Sequence, residues 1–62
     1  MNYIYLLKSK DGKGYSVFVQ RSKETETCIL PFTEYNNALL LVSCYQKINY
    51  CYKGVKHEVD LL

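Results

Sequence analysis

From Thr33 to Asn49 the chain reads TEYNNALLLVSCYQKIN, and its apolar positions recur at helical spacing. Ala38, Leu41, Val42, Tyr45 and Ile48 stand three and four residues apart and make one stripe, while Asn36, Ser43 and Lys47 share the opposite side. Both ends support a helix. The Thr33 hydroxyl can accept an orphan N–H of the first turn. Pro31 lies upstream, where the chain is still extended, and Phe32 is placed to staple onto the first turns. Glu34 sits at the positive end of the macrodipole and Lys47 near the negative end. This stretch is predicted to be the chain's one helix. Leu40 projects close to the polar side, and Leu39 and Cys44 flank the stripe. A three-stranded sheet covers one side of a helix, so part of this trio is left over, either as ordinary exposed side chains or as a surface for a partner.

Elsewhere the period is two. YIYLLK (3–8) and YSVFVQ (15–20) are β-rich runs joined by SKDGKG, in which Asp11-Gly12 suits a tight turn. With Asp11 and Gly12 as the central turn residues, Tyr5 faces Phe18, Ile4 faces Val19 and Leu6 faces Val17. One face is then Ile4, Leu6, Val17 and Val19, which the helix covers. The other is Tyr3, Tyr5, Leu7 and Phe18, an aromatic cluster that nothing in the chain covers. A three-residue loop with Gly12 in the left-handed region would shift the pairing by one and mix the faces; the first register sorts the side chains more cleanly. Arg21 to Thr27 reads as an exposed connector, and Thr27 to Leu30 as a short strand or as chain entering the core. Lys53-Gly54 reads as a turn or bulge. In the final run Val55, His57, Val59 and Leu61 alternate with Lys56, Glu58 and Asp60, the pattern of a half-buried strand whose charges discourage edge pairing. The predicted fold is α+β: a three-stranded antiparallel sheet with one helix packed on one face, in ββαβ order, as a single domain over residues 1–62.

At 62 residues such a domain buries only about 60% of its unfolded surface and is marginal alone, so chains this short lean on disulfides, a metal or self-association. Cys28, Cys44 and Cys51 are an odd number without a C-x-x-C pair, and one His with three scattered Cys lacks the paired spacing of a zinc site. Buried or half-buried thiols in a reducing cytoplasm are expected, with no metal and no cofactor. A homodimer is the remaining support. The longest apolar run, Ala38 to Val42, is far short of the ~20 residues of a membrane span. A net charge of +2 permits contact with nucleic acid without announcing it.

No constellation for catalysis emerges. His57 is suited to acid–base work near neutral pH but stands on a strand between Lys56 and Glu58, with no nucleophile and orienting third group. Asp11, Glu24, Glu26, Glu34, Glu58 and Asp60 are dispersed. Gly12 and Gly14 lie between two strands, so D-G-K-G opens no helix and is no phosphate loop. The expectation is a protein that is not an enzyme.

Tyrosine is the unusual feature, with seven copies. Its stiff, amphipathic area is enriched where proteins meet proteins, and one helix with three strands cannot bury all seven. Tyr3, Tyr5, Phe18, Leu39, Leu40 and Cys44 are the candidate partner-binding residues. Aromatics on a sheet beside lysines also stack bases, and Lys8, Lys10 and Lys13 gather at the hairpin tip as candidate phosphate contacts.

The order strand, Asp11-Gly12-Lys13 turn followed closely by Tyr15, strand, helix after a short connector, and alternating C-terminal strand resembles the small phage-encoded inhibitors of uracil-DNA glycosylase. The likeness is one of layout. Those inhibitors carry an acidic surface and this chain is net basic, so no target-contacting residue is carried over. What the resemblance implies is a class: tiny, non-enzymatic, phage-type proteins that dimerise and block a host or defence protein. The first expectation is therefore an inhibitor that occludes a protein target in the host cytoplasm. The alternatives are a nucleic-acid-binding accessory protein using tyrosines and hairpin lysines, or a sponge that holds a nucleotide signal at a dimer interface.

Overall fold

The computed structural model describes residues 1–23 and 25–57. Five elements follow one another: β1 (Tyr3–Lys8), β2 (Tyr15–Gln20), β3 (Thr27–Thr33), α1 (Tyr35–Gln46) and β4 (Cys51–His57). The sheet has four strands in the order β3-β2-β1-β4. β1 and β2 are antiparallel, as are β2 and β3, whereas β4 runs parallel to β1. The fold is α+β with one helix, but the expected three-stranded antiparallel sheet is corrected to a four-stranded mixed one.

The parallel pair follows from connectivity. β3 and β4 point the same way on opposite edges, and a same-direction return requires a crossover over the sheet face. The 12 residues of α1 rise about 18 Å, enough to span the three inter-strand gaps of about 14 Å. The helix therefore lies across the middle strands and covers Ile4, Leu6, Val17 and Val19, all fully buried, together with its own Ala38 and Val42. Each of those aliphatic side chains contributes on the order of 2 kcal/mol on leaving water.

The hairpin register is the cleanly sorted one: Ile4 opposite Val19, Tyr5 opposite Phe18, Leu6 opposite Val17. The turn that sets it is wider than a two-residue one. The Ser9 N–H donates to Gly14 O at 2.9 Å and the Gly12 N–H to Ser9 O at 3.0 Å, with Gly12 at φ 73°. Asp11 Oδ1 accepts from the Ser9 hydroxyl at 2.6 Å and from the Lys13 N–H at 2.9 Å. Those two donors hold the Asp11 carboxyl below the usual carboxylate range. An Asp stabilises the loop here because its side chain bonds to neighbouring backbone and hydroxyl groups.

Thr33 is corrected from helix cap to last residue of β3. The helix starts at Tyr35, and Glu34 occupies the N-cap position with extended backbone and no side-chain capping bond. At the other end the chain reverses through Asn49, which adopts φ 72°. The Tyr50 N–H donates to Tyr45 O at 3.1 Å and the Asn49 N–H to Gln46 O at 3.2 Å, the paired bonds of a Schellman motif. Its usual apolar contact is present too, with the Tyr45 and Tyr50 rings edge-on at 4.9 Å. Ile48 thereby leaves the apolar stripe and stands 62% exposed. All three cysteines are exposed free thiols, not the buried or half-buried ones expected. The last strand begins at Cys51 and not at Val55; the expected alternation over Glu58, Val59, Asp60 and Leu61 lies outside the described residues.

Candidate functional site

Two surfaces result, one on each side of the sheet. The first is the face opposite α1, where Tyr3, Tyr5, Leu7 and Phe18 project from β1 and β2. Tyr5 and Phe18 stack with centroids 5.4 Å apart and planes 7° from parallel. The Tyr5 hydroxyl donates to Glu26 Oε2 at 2.6 Å. Burial first, and this bond to a carboxylate second, push the Tyr5 phenol well above its ordinary value near 10. On its other side Tyr5 meets Lys56, whose Nζ lies 4.3 Å from the ring centroid. The expectation that nothing in the chain covers this face is therefore corrected at Tyr5, which is only 6% exposed; its neighbours Tyr3, Leu7 and Phe18 are half-buried.

Lys56 and Lys53 reach this face because β4 carries a bulge. Tyr52 pairs with Ile4 and Val55 with Leu6, so two residues, Lys53 and Gly54, oppose Tyr5 alone. Gly54 takes φ 86°, a left-handed conformation that glycine adopts without steric penalty. The extra residue resets the alternation. Val55 returns to the helix side, and Lys56 joins Lys53 on the free face. Lys53 Nζ stands 4.5 Å from the Tyr3 centroid. Together Tyr3, Tyr5, Gln20, Glu26, Lys53 and Lys56 line an open groove of about 440 Å³.

The second surface lies on the helix side and around the helix start. Leu40 points away from the sheet and is 67% exposed, and Cys44 is exposed one turn on. Leu39, by contrast, is half-buried and packs on the core. Where β3 gives way to α1, Phe32 adopts φ 27° and is 61% exposed. The β2–β3 register shifts between Tyr15 and Val17, and the Phe32 N–H donates to Ser16 Oγ at 3.2 Å instead of to a strand carbonyl. Tyr35, 44% exposed, begins the helix beside it and meets Tyr15 at 5.0 Å between centroids. Burial and the nearby Tyr35 and Tyr15 phenols raise the Tyr52 phenol on the same side of the sheet.

The hairpin lysines differ in exposure. Lys8 lies half-buried with Nζ 6.0 Å from the Tyr15 centroid, whereas Lys10 and Lys13 stand exposed in the loop. The lysines beside the aromatic cluster, Lys53 and Lys56, escaped the sequence reading because they arrive on a parallel edge strand that periodicity does not disclose. The Lys53-Gly54 bulge was the available signal. Phe32 was missed for a different reason: a residue stapled onto the first turns would be covered.

His57 ends β4 opposite Lys8 and is exposed. Among the described residues no helix is long and apolar enough to cross a membrane. Comparison of the chain with protein-family models, with curated proteins and with solved structures finds no match.

Proposed function

We propose that this chain is a small non-enzymatic binding protein, of the kind phages and mobile elements encode, which docks on a host or defence protein and blocks it by occlusion. The observation that carries the reading is Phe32. A bulky residue at positive φ is a backbone outlier that costs on the order of 1–3 kcal/mol, and such outliers cluster at functional sites. Here the ring rests on Gly14 of the hairpin loop and still presents most of its surface to solvent, at 61% exposed. Tyr35 continues the apolar surface at the start of α1.

Self-association belongs to the reading. Two copies meeting through the outer side of α1 around a two-fold axis would cover Leu40 and Cys44 and leave Phe32 and Tyr35 for the target. The site of action is the cytoplasm, where exposed thiols stay reduced.

Affinity capture from a bacterial lysate at low and at moderate salt tests the proposal. An apolar contact holds its protein partner at both, and the Phe32→Gly variant releases it. Capture that vanishes with added salt would instead mark phosphate contacts and contradict an occluding apolar surface.

A further inference from the structure

The groove on the opposite side of the sheet carries a separate inference: we propose that it binds a nucleotide unit, with the base stacked on Tyr3 and the phosphate held by Lys53 and Lys56. The charge is local and, among the described residues, net positive: two ammonium groups against one carboxylate. Both ammonium groups rest against ring faces, at 4.5 Å from Tyr3 and 4.3 Å from Tyr5. Among the described residues Glu26 is the one acid of the groove lining, and its carboxylate is engaged by the Tyr5 hydroxyl at the groove floor.

The two rings have different parts. Tyr5 is closed in by Phe18 on one face and Lys56 on the other, so it fixes the floor. Tyr3 is half-buried with the Lys53 ammonium over its ring, and that flexible, exposed chain can swing from ring to phosphate and free the face for a base. Base–aromatic stacking of this kind tolerates any base, because every base presents a π-face. A volume of about 440 Å³ lies in the range of small-ligand sites, about 300–1,000 Å³. The groove is open to solvent, so it admits either a free nucleotide or one nucleotide of a strand.

The bulge makes this arrangement specific. If the same residues ran through Lys53–Gly54 in regular alternation with no bulge, Lys56 would turn to the helix side and Val55 onto the groove. Lysines on an edge strand also deter sheet pairing, but that purpose does not require both on one face beside tyrosines.

The test is titration of the full chain with fluorescent oligothymidylate, with thymidine monophosphate, and with a duplex of mixed sequence. The single strand should bind more tightly than the duplex. Equal affinity for monophosphate and strand identifies a free nucleotide as the source, and binding of the strand alone identifies single-stranded nucleic acid; both support the site. Lys53→Gln with Lys56→Gln should weaken binding at least about tenfold and lower the slope of log affinity against log salt by about 1.4, two contacts at about 0.7 each for single strands. Arginine at both positions should restore affinity, which separates charge from folding. Unchanged affinity in the double glutamine variant, loss on substituting Lys8, Lys10 and Lys13 instead, or no binding of any probe would overturn the proposal.

Discussion

The ring of Phe32 lies directly on Gly14: a Cβ built at Gly14 would stand 2.7 Å from two of the ring carbons. The hairpin loop and the β3–α1 junction, distant in sequence, are thus fitted to one another at the surface. Gly14→Ala should therefore displace the ring and not the buried core. The expected cost is about 1 kcal/mol, at the low end of overpacking effects because the ring is exposed and can move. Urea unfolding measures it, and binding to the captured partner should weaken at the same time. Full binding by a folded Gly14→Ala protein would count against Phe32 as the contact.

Phe32→Gly separates stability from function. Glycine relieves the positive φ while the ring's contact with Gly14 is lost, so the two effects oppose and the net change should lie within about 1 kcal/mol of zero. Partner capture should nonetheless disappear. A loss of several kcal/mol would show the ring to be structural.

Gly54→Ala tests the bulge. No atom lies within 4 Å of the added Cβ, so any penalty comes from the backbone at φ 86° and should be about 1–2 kcal/mol. Thermal unfolding reads it. If the bulge slips, Val55 and Lys56 exchange faces, which the loss of the Lys56–Tyr5 contact in NMR spectra would report.

Tyr5→Phe removes the hydroxyl bonded to Glu26 and should lower stability at neutral pH by about 0.5–1 kcal/mol. The sign of the pH effect follows from the raised phenol. The folded protein holds the proton more tightly than the unfolded chain, whose tyrosine titrates near 10. The stabilisation is therefore complete below about pH 10 and declines as pH rises beyond it. Alkaline unfolding of the Phe variant should show a shallower decline. A remnant persists from Tyr52, whose phenol is raised in the same direction. Identical pH profiles for the two proteins would dispose of the Tyr5–Glu26 bond as a stabilising contact.

Leu40→Asp should leave the fold intact, since the side chain points to solvent, and convert a dimer to a monomer in sedimentation velocity. A wild-type chain that already sediments as a monomer at high concentration contradicts the helix-side dimer.

Much of this was legible along the chain because local rules and the fold agree. The hairpin register followed from sorting Ile4, Leu6, Val17 and Val19 to one face, and burial enforces that choice because a one-residue slip would expose all four. The helix was legible from Ala38 and Val42, but it ends at Gln46 and not at Asn49, where the expected stretch closed. What escaped was non-local. Pro31 marked extended chain but not a paired strand through to Thr33; β3 is an edge, where its missing N–H is tolerated. Thr33 looked like a cap because a strand end and a helix start share the same extended backbone. Parallel pairing of β4 with β1 leaves no mark in either strand. The groove depends on that pairing, so its lysines could not be assigned from periodicity.

The claim that matters most is that the apolar junction and the aromatic groove are separate surfaces with separate ligands. Affinity capture from one lysate with three proteins addresses it: the wild type, a Phe32→Gly/Leu40→Asp variant, and a Lys53→Gln/Lys56→Gln variant, each verified as folded by circular dichroism. The account predicts that wild type and the lysine variant retain the same protein partner and that the Phe32/Leu40 variant retains none. Retention of that partner by the Phe32/Leu40 variant, with loss in the lysine variant, would contradict it.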